Sequence, residues 1–513
     1  MSGDYSRKRF NPEKHYQGVL RQQGRVDLDA DWNEYVDLQD RRWRAETIDV
    51  VGRSGVPDET PDGFKIAVSG GELTVGQGRM YVDGYVAENH GTAPAFEPTL
   101  EEGYGTAALP VKNQPYGGPV TVPAQVRSLV YLDVWRREVT HLQAPDLIEP
   151  AVNVDSTTRY QTAWQVRVLA NIPPDITCDT PLSDIPGWPT GNRSSSARLT
   201  TTTVAVTTEP DPCLVPPTGG YRGLENHLYR VEVHSATTTT AKVKWSRENA
   251  HVATSLLEIL AGRTTVRVES LGRDDVLRIK TGDWVELTSD QREFAGLPGE
   301  MRKVTVDDAN QTLTFSPALP AADFPQGVVD AAKHVRVIRW DQSGIVRKPD
   351  GSQLINLDLT SDGLIELSAA NPSFVLELGV QATLTVLAGG TAHSGDYWCF
   401  AARTADADIE RLNQAPPLGI HHHHAHLAII EPNGEIHDCR TVFPPLTELT
   451  PGCCTVVVRP GEDIQAAIDS LPDEGGCVCL KVGDHEIQAP IRIEKSHVSL
   501  HGETLGARVV RTD

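Results

Sequence analysis

Three groups of residues in this chain have types and spacings that could do chemistry. The first is an internal histidine run, His421–His424 with His426. On a strand, His422, His424 and His426 share one face, because successive side chains point to opposite sides. Three imidazoles on one face can hold a divalent cation such as Zn²⁺ or Ni²⁺. In a symmetric oligomer they could also ring an axis. An exposed polar strand accounts for the same run and is the default reading. The second group is cysteine, of which the chain has 8. Cys178 and Cys213 flank a Ser/Thr/Pro-rich stretch, while Cys439, Cys453, Cys454, Cys477 and Cys479 cluster towards the C-terminal end. In a cytosolic chain, clustered cysteines favour metal or reduced core thiols over disulfides. The C-C…C-x-C spacing is not that of a zinc ribbon, so small buried thiols come first and zinc second. Cys477 and Cys479 share a face if their segment is a strand. The metal candidates are therefore His422, His424, His426, Cys453, Cys454, Cys477 and Cys479. Zn²⁺ is the one cofactor they suggest, and nothing else in the chain implies another.

The third group is acidic and aromatic. Glycan hydrolysis needs two carboxylates flanking a sugar groove. Asp463, Glu474, Asp484 and Glu486 are available near the C-terminus, but they read as a helix cap and turn residues. Trp245-Ser246-Arg247-Glu248 and Gly395-Asp396-Tyr397-Trp398 could line a sugar site, although Trp packed on Arg is the commoner meaning of such clusters. There is no phosphate-binding G-x-x-x-x-G-K-S/T, no H-E-x-x-H and no G-x-S-x-G. No catalytic residue is assigned.

These residues must be positioned by a mainly β, multi-domain chain. Its 513 residues allow three or four domains, and 43 Gly with 35 Pro suit many turns. The net charge of −22 disfavours phosphate backbones, so nucleic acid is not an expected partner. No apolar run approaches the ~18 residues of a membrane helix. Met1–Tyr16 is polar and lacks the apolar stretch of a signal peptide. Synthesis in a bacterial cytoplasm is expected, with neither signal peptide nor membrane insertion.

Residues 1–55 read as a head. Asp29–Val51 has a helical pattern with Trp32, Tyr35, Val36 and Trp43 as apolar anchors, stopped by Gly52 and Gly55. Packing of those tryptophans on their own domain is the default, and docking on a neighbouring subunit the alternative. The partner-binding candidates are Tyr5, Phe10, Tyr16, Trp32, Tyr35 and Trp43. Residues 56–245 read as a β domain, with Asp83-Gly84 as a hairpin turn and Val126–Val139 as an alternating strand. A Ser/Thr/Pro-rich stretch, a long surface excursion or an inter-domain linker, interrupts this domain at 172–218. Short strands over 246–345 suggest a small inserted barrel or sandwich, and 346–445 continues the β domain, with Ile409–Asn413 as a short helix.

Residues 453–513 have a distinct pattern. Asp463 can cap a helix whose Ile464, Ala467, Ile468 and Leu471 form one apolar stripe. Ile491/Ile493 and Val498/Leu500 are alternating pairs suited to strands. The segment resembles the first coils of a right-handed parallel β-helix of the pectate-lyase-like type. Such a solenoid needs roughly three or more repeats. About two fit before Asp513, so continuation of the chain or completion by a partner is expected.

Three further stretches carry a family resemblance: G-D-Y-S-R-K-R-F-N-P-E-K-H-Y-Q-G-V-L-R-Q-Q-G-R-V-D-L-D-A-D-W-N-E from Gly3 to Glu34, G-L-E-N-H-L-Y-R-V-E-V-H from Gly223 with K-W-S-R-E-N-A from Lys244, and G-D-Y-W-C-F-A-A-R from Gly395. Together they resemble a bacterial family of uncharacterised modules that precede a right-handed β-helix. Genes of that family often sit beside those of phage-tail-like contractile injection systems. The resemblance implies a structural component at a baseplate or its periphery, a tail-fibre or spike-like adaptor. Its expected partners are other tail or baseplate proteins, further copies of itself, and a cell-surface glycan or receptor. Assembly into a particle that is released from the cell would follow. The alternative is a glycan-binding or glycan-cleaving β-helix protein.

Overall fold

The strand Ser128–Val139 organises most of the chain, and it is buried almost end to end. In the computed structural model, which describes residues 3–69, 72–92, 107–203, 220–445, 454–502 and 507–512, this strand has a core on each face. Val130, Leu132 and Val134 pack with Met80, Val82, Trp164 and Leu427. Leu129 and Tyr131 pack on the other side with Ile172, Ile185 and Trp188. The alternation expected of a half-exposed strand is therefore absent, because both faces are covered. Its antiparallel neighbours are Arg159–Ala170 and, from far along the chain, His422–Ile430. The 172–218 stretch is not simply a surface excursion. Its first part supplies Ile172, Ile176, Ile185 and Trp188 to a core, and Ala197–Thr203 is a strand paired with Val380–Val386. Residues 204–219, with Cys213, lie outside the described residues.

By contact density the chain forms two units, Met1–Val56 with Asp62–Thr441, and Pro57–Pro61 with Val442–Asp513. In the first, Gly78–Val82 and Tyr85–Asn89 make the hairpin that Asp83-Gly84 turns, both at positive φ. Two five-stranded antiparallel sheets face each other as a sandwich. One contributes Leu199, Phe374 and Leu384, the other Tyr229, Val231, Trp245, Trp398 and Phe400. Between residues 253 and 340 an antiparallel sheet curls around its own core of Leu256, Val266, Val285, Leu313 and Val337. Its two end strands, Glu300–Lys303 and Thr305–Asp307, are consecutive in the chain, so the sheet nearly closes. Val304 separates them because its amide donates to the Asp283 carbonyl at 3.0 Å. Ile409–Asn413 is not a helix. Asp408–Ile409 is an edge strand, and the Leu412 amide donates to Thr201 Oγ1 at 2.8 Å. Backbone groups satisfied by a neighbouring strand have no need of helical partners.

A buried charge cluster joins the curled sheet to the sandwich. Lys244, from the strand Thr240–Ser246, pairs with Glu286 of Trp284–Thr288, and with Glu232 at 3.1 Å. Glu286 also accepts from Trp340 Nε1 at 3.0 Å and from the Gly299 amide at 3.0 Å. Despite burial, Lys244 and Arg230 together take the Glu232 carboxyl down to about 2.

In the second unit Val456–Val458, Gly476–Leu480 and Val498–Gly502 pair in parallel, as do Gly483–Ile487 and Ala507–Arg511. Val456, Val478 and Leu500 stand in register over a small apolar core. Asp463 caps the helix Ile464–Asp469 by accepting from the Gln465 and Ala466 amides. Ile491 and Ile493 form no strand, and Ile493 is exposed. The Gln465 side chain takes the place of a strand partner there, accepting from the Arg492 amide at 2.8 Å and donating to its carbonyl at 3.0 Å.

Lys244→Met removes the cation of Glu286 and one of the two cations of Glu232, which keeps Arg230, and should cost about 3–5 kcal/mol. The wild-type contribution of Glu232 is present above the ordinary 4.5 and lost as pH falls towards about 2. In the variant the carboxylates are easier to bury once protonated. Urea denaturation should therefore show the largest deficit near neutrality and a smaller one below pH ~4.5. A deficit independent of pH would contradict the charge assignment.

Candidate functional site

The first residues of the chain are stitched into the β body. Gly3 is buried, with its amide donating to Glu138 Oε1 at 2.5 Å and its carbonyl accepting from Asn249 Nδ2 at 2.9 Å. Only glycine fits there, since a Cβ would lie 2.8 Å from the Tyr5 ring. The Tyr5 hydroxyl bridges Glu138 and Thr158. Burial and the Glu138 charge push its pKa well up. Arg403 donates to the Ser6 carbonyl at 2.6 Å. Lys8 lies 5.9 Å from the centre of the Tyr397 ring, on which the Arg230 guanidinium also stacks at 3.7 Å.

The three stretches that carry the family resemblance, hundreds of residues apart, thus build one socket. Asn249 and Ala250 both adopt positive φ, and the Asn249 carboxamide oxygen accepts from the buried Cys399 thiol at 3.2 Å. His227 pairs with Glu248 at 2.7 Å, and Asn226 accepts from the Thr404 amide at 3.0 Å. The aromatic-plus-charge clusters around Trp245 and Tyr397 act as packing and seating groups. Glu232 and Asp396 are engaged by Arg230 and by Ser195 and the His393 amide, respectively.

The socket fixes the helix that follows, α1 (Asp29–Val51). Asp29 accepts from the Ser6 amide at 2.8 Å and its hydroxyl at 2.6 Å. Asp40 pairs with Arg136 at 2.8 Å, and Arg44 stacks on Tyr85 at 4.0 Å. Gly84 lets the helix approach, because a Cβ there would meet the Arg44 carbonyl at 2.7 Å. These are polar contacts, and within α1 only Ala30 and Leu38 are buried. Trp32 is 61% and Trp43 65% exposed, with Tyr35 and Val50 also exposed. At about 100° per residue, Trp32, Trp43 and Val50 fall within about 20° of one another around the helix, and Tyr35 lies one flank away. The apolar stripe therefore faces outward, and the expectation that the tryptophans pack on their own domain does not hold. Of the other aromatic candidates, Tyr5 is used internally, Phe10 is half-buried, and Tyr16 is exposed.

His422 and His424 do share a face, as expected, but that face is half-buried. His422 Nδ1 lies 2.7 Å and His424 Nε2 3.4 Å from Asp133 Oδ1, and Arg167 Nε lies 2.9 Å from Asp133 Oδ2. The aromatic rings of Trp135 and Trp188 flank the two imidazoles. Asp133 is 1% exposed, and no motif in the sequence marks it; its only signal is an acid inside an apolar strand. Desolvation opposes its charge, but the imidazoles and Arg167 together hold its pKa below the ordinary range. Burial takes His424 down to about 4. Asp133, His422 and His424 are spaced to hold a metal ion, although Arg167 occupies the outer oxygen of the carboxylate. His426 lies on the same side near Thr180 and takes no part in that group.

Two pairs of cysteines depart from the expectation of metal or buried thiols, while Cys399 and Cys477 are buried outside both pairs. Cys178 bonds Cys439, and Cys454 bonds Cys479. Tertiary pairing brings together partners that the sequence places 261 and 25 residues apart. Cys453 lies outside the described residues. Among the C-terminal acids, Asp463 is a helix cap and Asp484 pairs with Arg508 at 2.8 Å.

A family profile described as Family of unknown function (DUF6519) matches residues 1–183 and 192–463. The chain belongs to that family. No curated protein and no solved structure matched. The DUF6519 match spans the head, α1, the socket and the Asp133 cluster. Among the described residues no helix is long and apolar enough to cross a membrane.

Asn249→Ala strands the Gly3 carbonyl and the Cys399 thiol, a loss of about 1–3 kcal/mol. Limited proteolysis should then cut within the first 28 residues faster than in wild type, read by intact mass; an unchanged cleavage rate would remove the socket from the account. His424 supplies a pH test. Its folded pKa of about 4 lies below the ordinary 6.5, so the unfolded chain gains a proton first as pH falls through that window. Stability should decline there, and His424→Gln should flatten the decline in a series of thermal melts. An equally steep acid limb in the variant would contradict it.

Proposed function

We propose that this DUF6519 protein is a structural component of a phage-tail-like contractile injection particle, at the baseplate or its periphery. In this reading α1 docks on a neighbouring subunit, the β modules act as a rigid spacer, and the C-terminal parallel ladder opens a right-handed β-helix leading to a distal fibre. The carrying observation is the outward apolar stripe of α1. A helix held to its own body by Asp40–Arg136 and Arg44–Tyr85, while Trp32 and Trp43 stay exposed, is built for another surface. Aromatic residues dominate the energetics of protein interfaces. The parallel stacking of Val456, Val478 and Leu500 supports the solenoid part of the proposal, since each rung needs the next to bury its face. A glycan or receptor would then be met beyond the ladder.

The seating of residues 3–10 makes deletion of the head a poor test, because it would unroof the socket. Trp32→Ala with Trp43→Ala touches only exposed groups and should change folding stability by about 0.5 kcal/mol or less. Loss of even one hot-spot tryptophan costs about 2 kcal/mol, on the order of thirtyfold in docking affinity. In the native host the double variant should fail to sediment with sheath and tube proteins, whereas wild type should co-sediment. Wild type that stays free in solution, or a double variant that enters particles normally, would overturn the proposal.

A further inference from the structure

The second unit places four soft ligands at one point of its ladder. Cys477 and Cys479 lie on one face of Gly476–Leu480, opposite the apolar core formed by Val478 and Leu480. On the next rung His501 stands in register with Cys479. His501 Nε2 is 2.9 Å from Cys477 Sγ and 3.5 Å from Cys479 Sγ, and the three ligand atoms lie within 4.8 Å of one another. Cys454 is at the same point, bonded to Cys479. The approach is built into the backbone. Gly476, at φ +154, has no room for a Cβ, which would lie 2.7 Å from Thr455 Oγ1, and that hydroxyl accepts from the Cys477 amide at 3.0 Å. This tight crossing presses the Cys454–Thr455 segment onto the cysteine strand. Both cysteines of that strand are at least 97% shielded, Cys477 being 3% and Cys479 1% exposed.

We propose that Cys454, Cys477, Cys479 and His501 form a Cys₃His site for Zn²⁺, assembled when the Cys454–Cys479 bond is reduced. Three thiolates and one imidazole are a soft ligand set of the kind that selects zinc. A tetrahedral zinc with Zn–S near ~2.3 Å and Zn–N near ~2.0 Å sets ligand atoms roughly 3.6 Å apart. The Cys479–His501 separation of 3.5 Å already has that value; Cys477, at 2.9 Å from His501, must draw back by about 0.7 Å, and Cys454 must part from Cys479 once their bond is reduced. The chemistry balances as a thiol–disulfide exchange. A dithiol gives two electrons and two protons to the Cys454–Cys479 bond and becomes its own disulfide, leaving two protein thiols. Zn²⁺ then displaces the three thiol protons and accepts the His501 Nε2 lone pair, giving a site of net charge −1. In the reverse direction a disulfide oxidant of the glutathione class takes two electrons from Cys454 and Cys479, leaves as two thiols, and the zinc is released. Either state cross-links the segment before the ladder to its second rung. Only the zinc state also ties in the third rung, through His501. The apolar core of this unit is small, and a small core benefits from such a staple.

The test uses the full chain and the metal alone. One sample is reduced with a dithiol, desalted under nitrogen and titrated with Co²⁺ and then Zn²⁺; a second is treated identically but left oxidised. The reduced chain should develop thiolate-to-cobalt charge transfer and the visible bands of tetrahedral Co²⁺, saturating at one ion per chain and bleached by Zn²⁺. The oxidised chain should give neither. Cys477→Ser and His501→Ala should each abolish or strongly weaken the charge-transfer band, while His422→Ala with His424→Ala should leave it intact. A reduced wild-type chain without the band overturns the proposal, and that comparison needs no variant to fold. The proposal also falls if the oxidised chain binds equally, or if the band survives Cys477→Ser.

Discussion

A buried backbone carbonyl must be hydrogen-bonded, and at Gly3 that requirement falls on Asn249, nearly half the chain away. The seating of the first residues and the entry to α1 rest on that contact. With Tyr5 held by Glu138 and Ser6 by Arg403, the segment enters α1 at a fixed point, and Asp29 closes the entry by accepting from Ser6. The helix is then held by Arg44 on Tyr85, by the Asp40–Arg136 pair and by the buried Ala30 and Leu38, which leaves Trp32 and Trp43 on the outward side.

The same logic runs through the interior, where buried acids act as cross-links between strands remote in sequence. Asp133 draws a cation from Arg159–Ala170 on one side and two imidazoles from His422–Ile430 on the other. Glu286 draws Lys244 across from the sandwich. A carboxylate in such a position is costly without its partners, so the pairing specifies which strands lie side by side. The residues that carry the family resemblance also link remote strands: Asn249, Arg230, Glu232, Tyr397 and Arg403 seat one another and the head.

The second unit is stabilised differently. Its rungs are parallel, each rung covers its neighbour, and its core is a short stack of Val, Ile and Leu. Covalent or metal cross-linking at Cys454, Cys477, Cys479 and His501 would compensate for the few apolar groups available there.

Local features were legible in the sequence by itself. The α1 helix, the Asp83-Gly84 hairpin, the Asp463 cap, the mainly β character and the shared face of His422 and His424 all follow from periodicity, turn chemistry and strand alternation. Features set by long-range pairing were not. The sequence read Val126–Val139 as an alternating strand, and no local pattern tells a strand covered on both faces from one covered on one. It read the tryptophans of α1 as internal, because burial depends on which side of the helix the Asp40–Arg136 and Arg44–Tyr85 contacts claim. It read the clustered cysteines as metal ligands or buried thiols before disulfides, because disulfide partners are chosen by spatial approach rather than by spacing. Asp133 was invisible for the same reason: an acid in an apolar strand becomes a site only when two other strands bring charge to it.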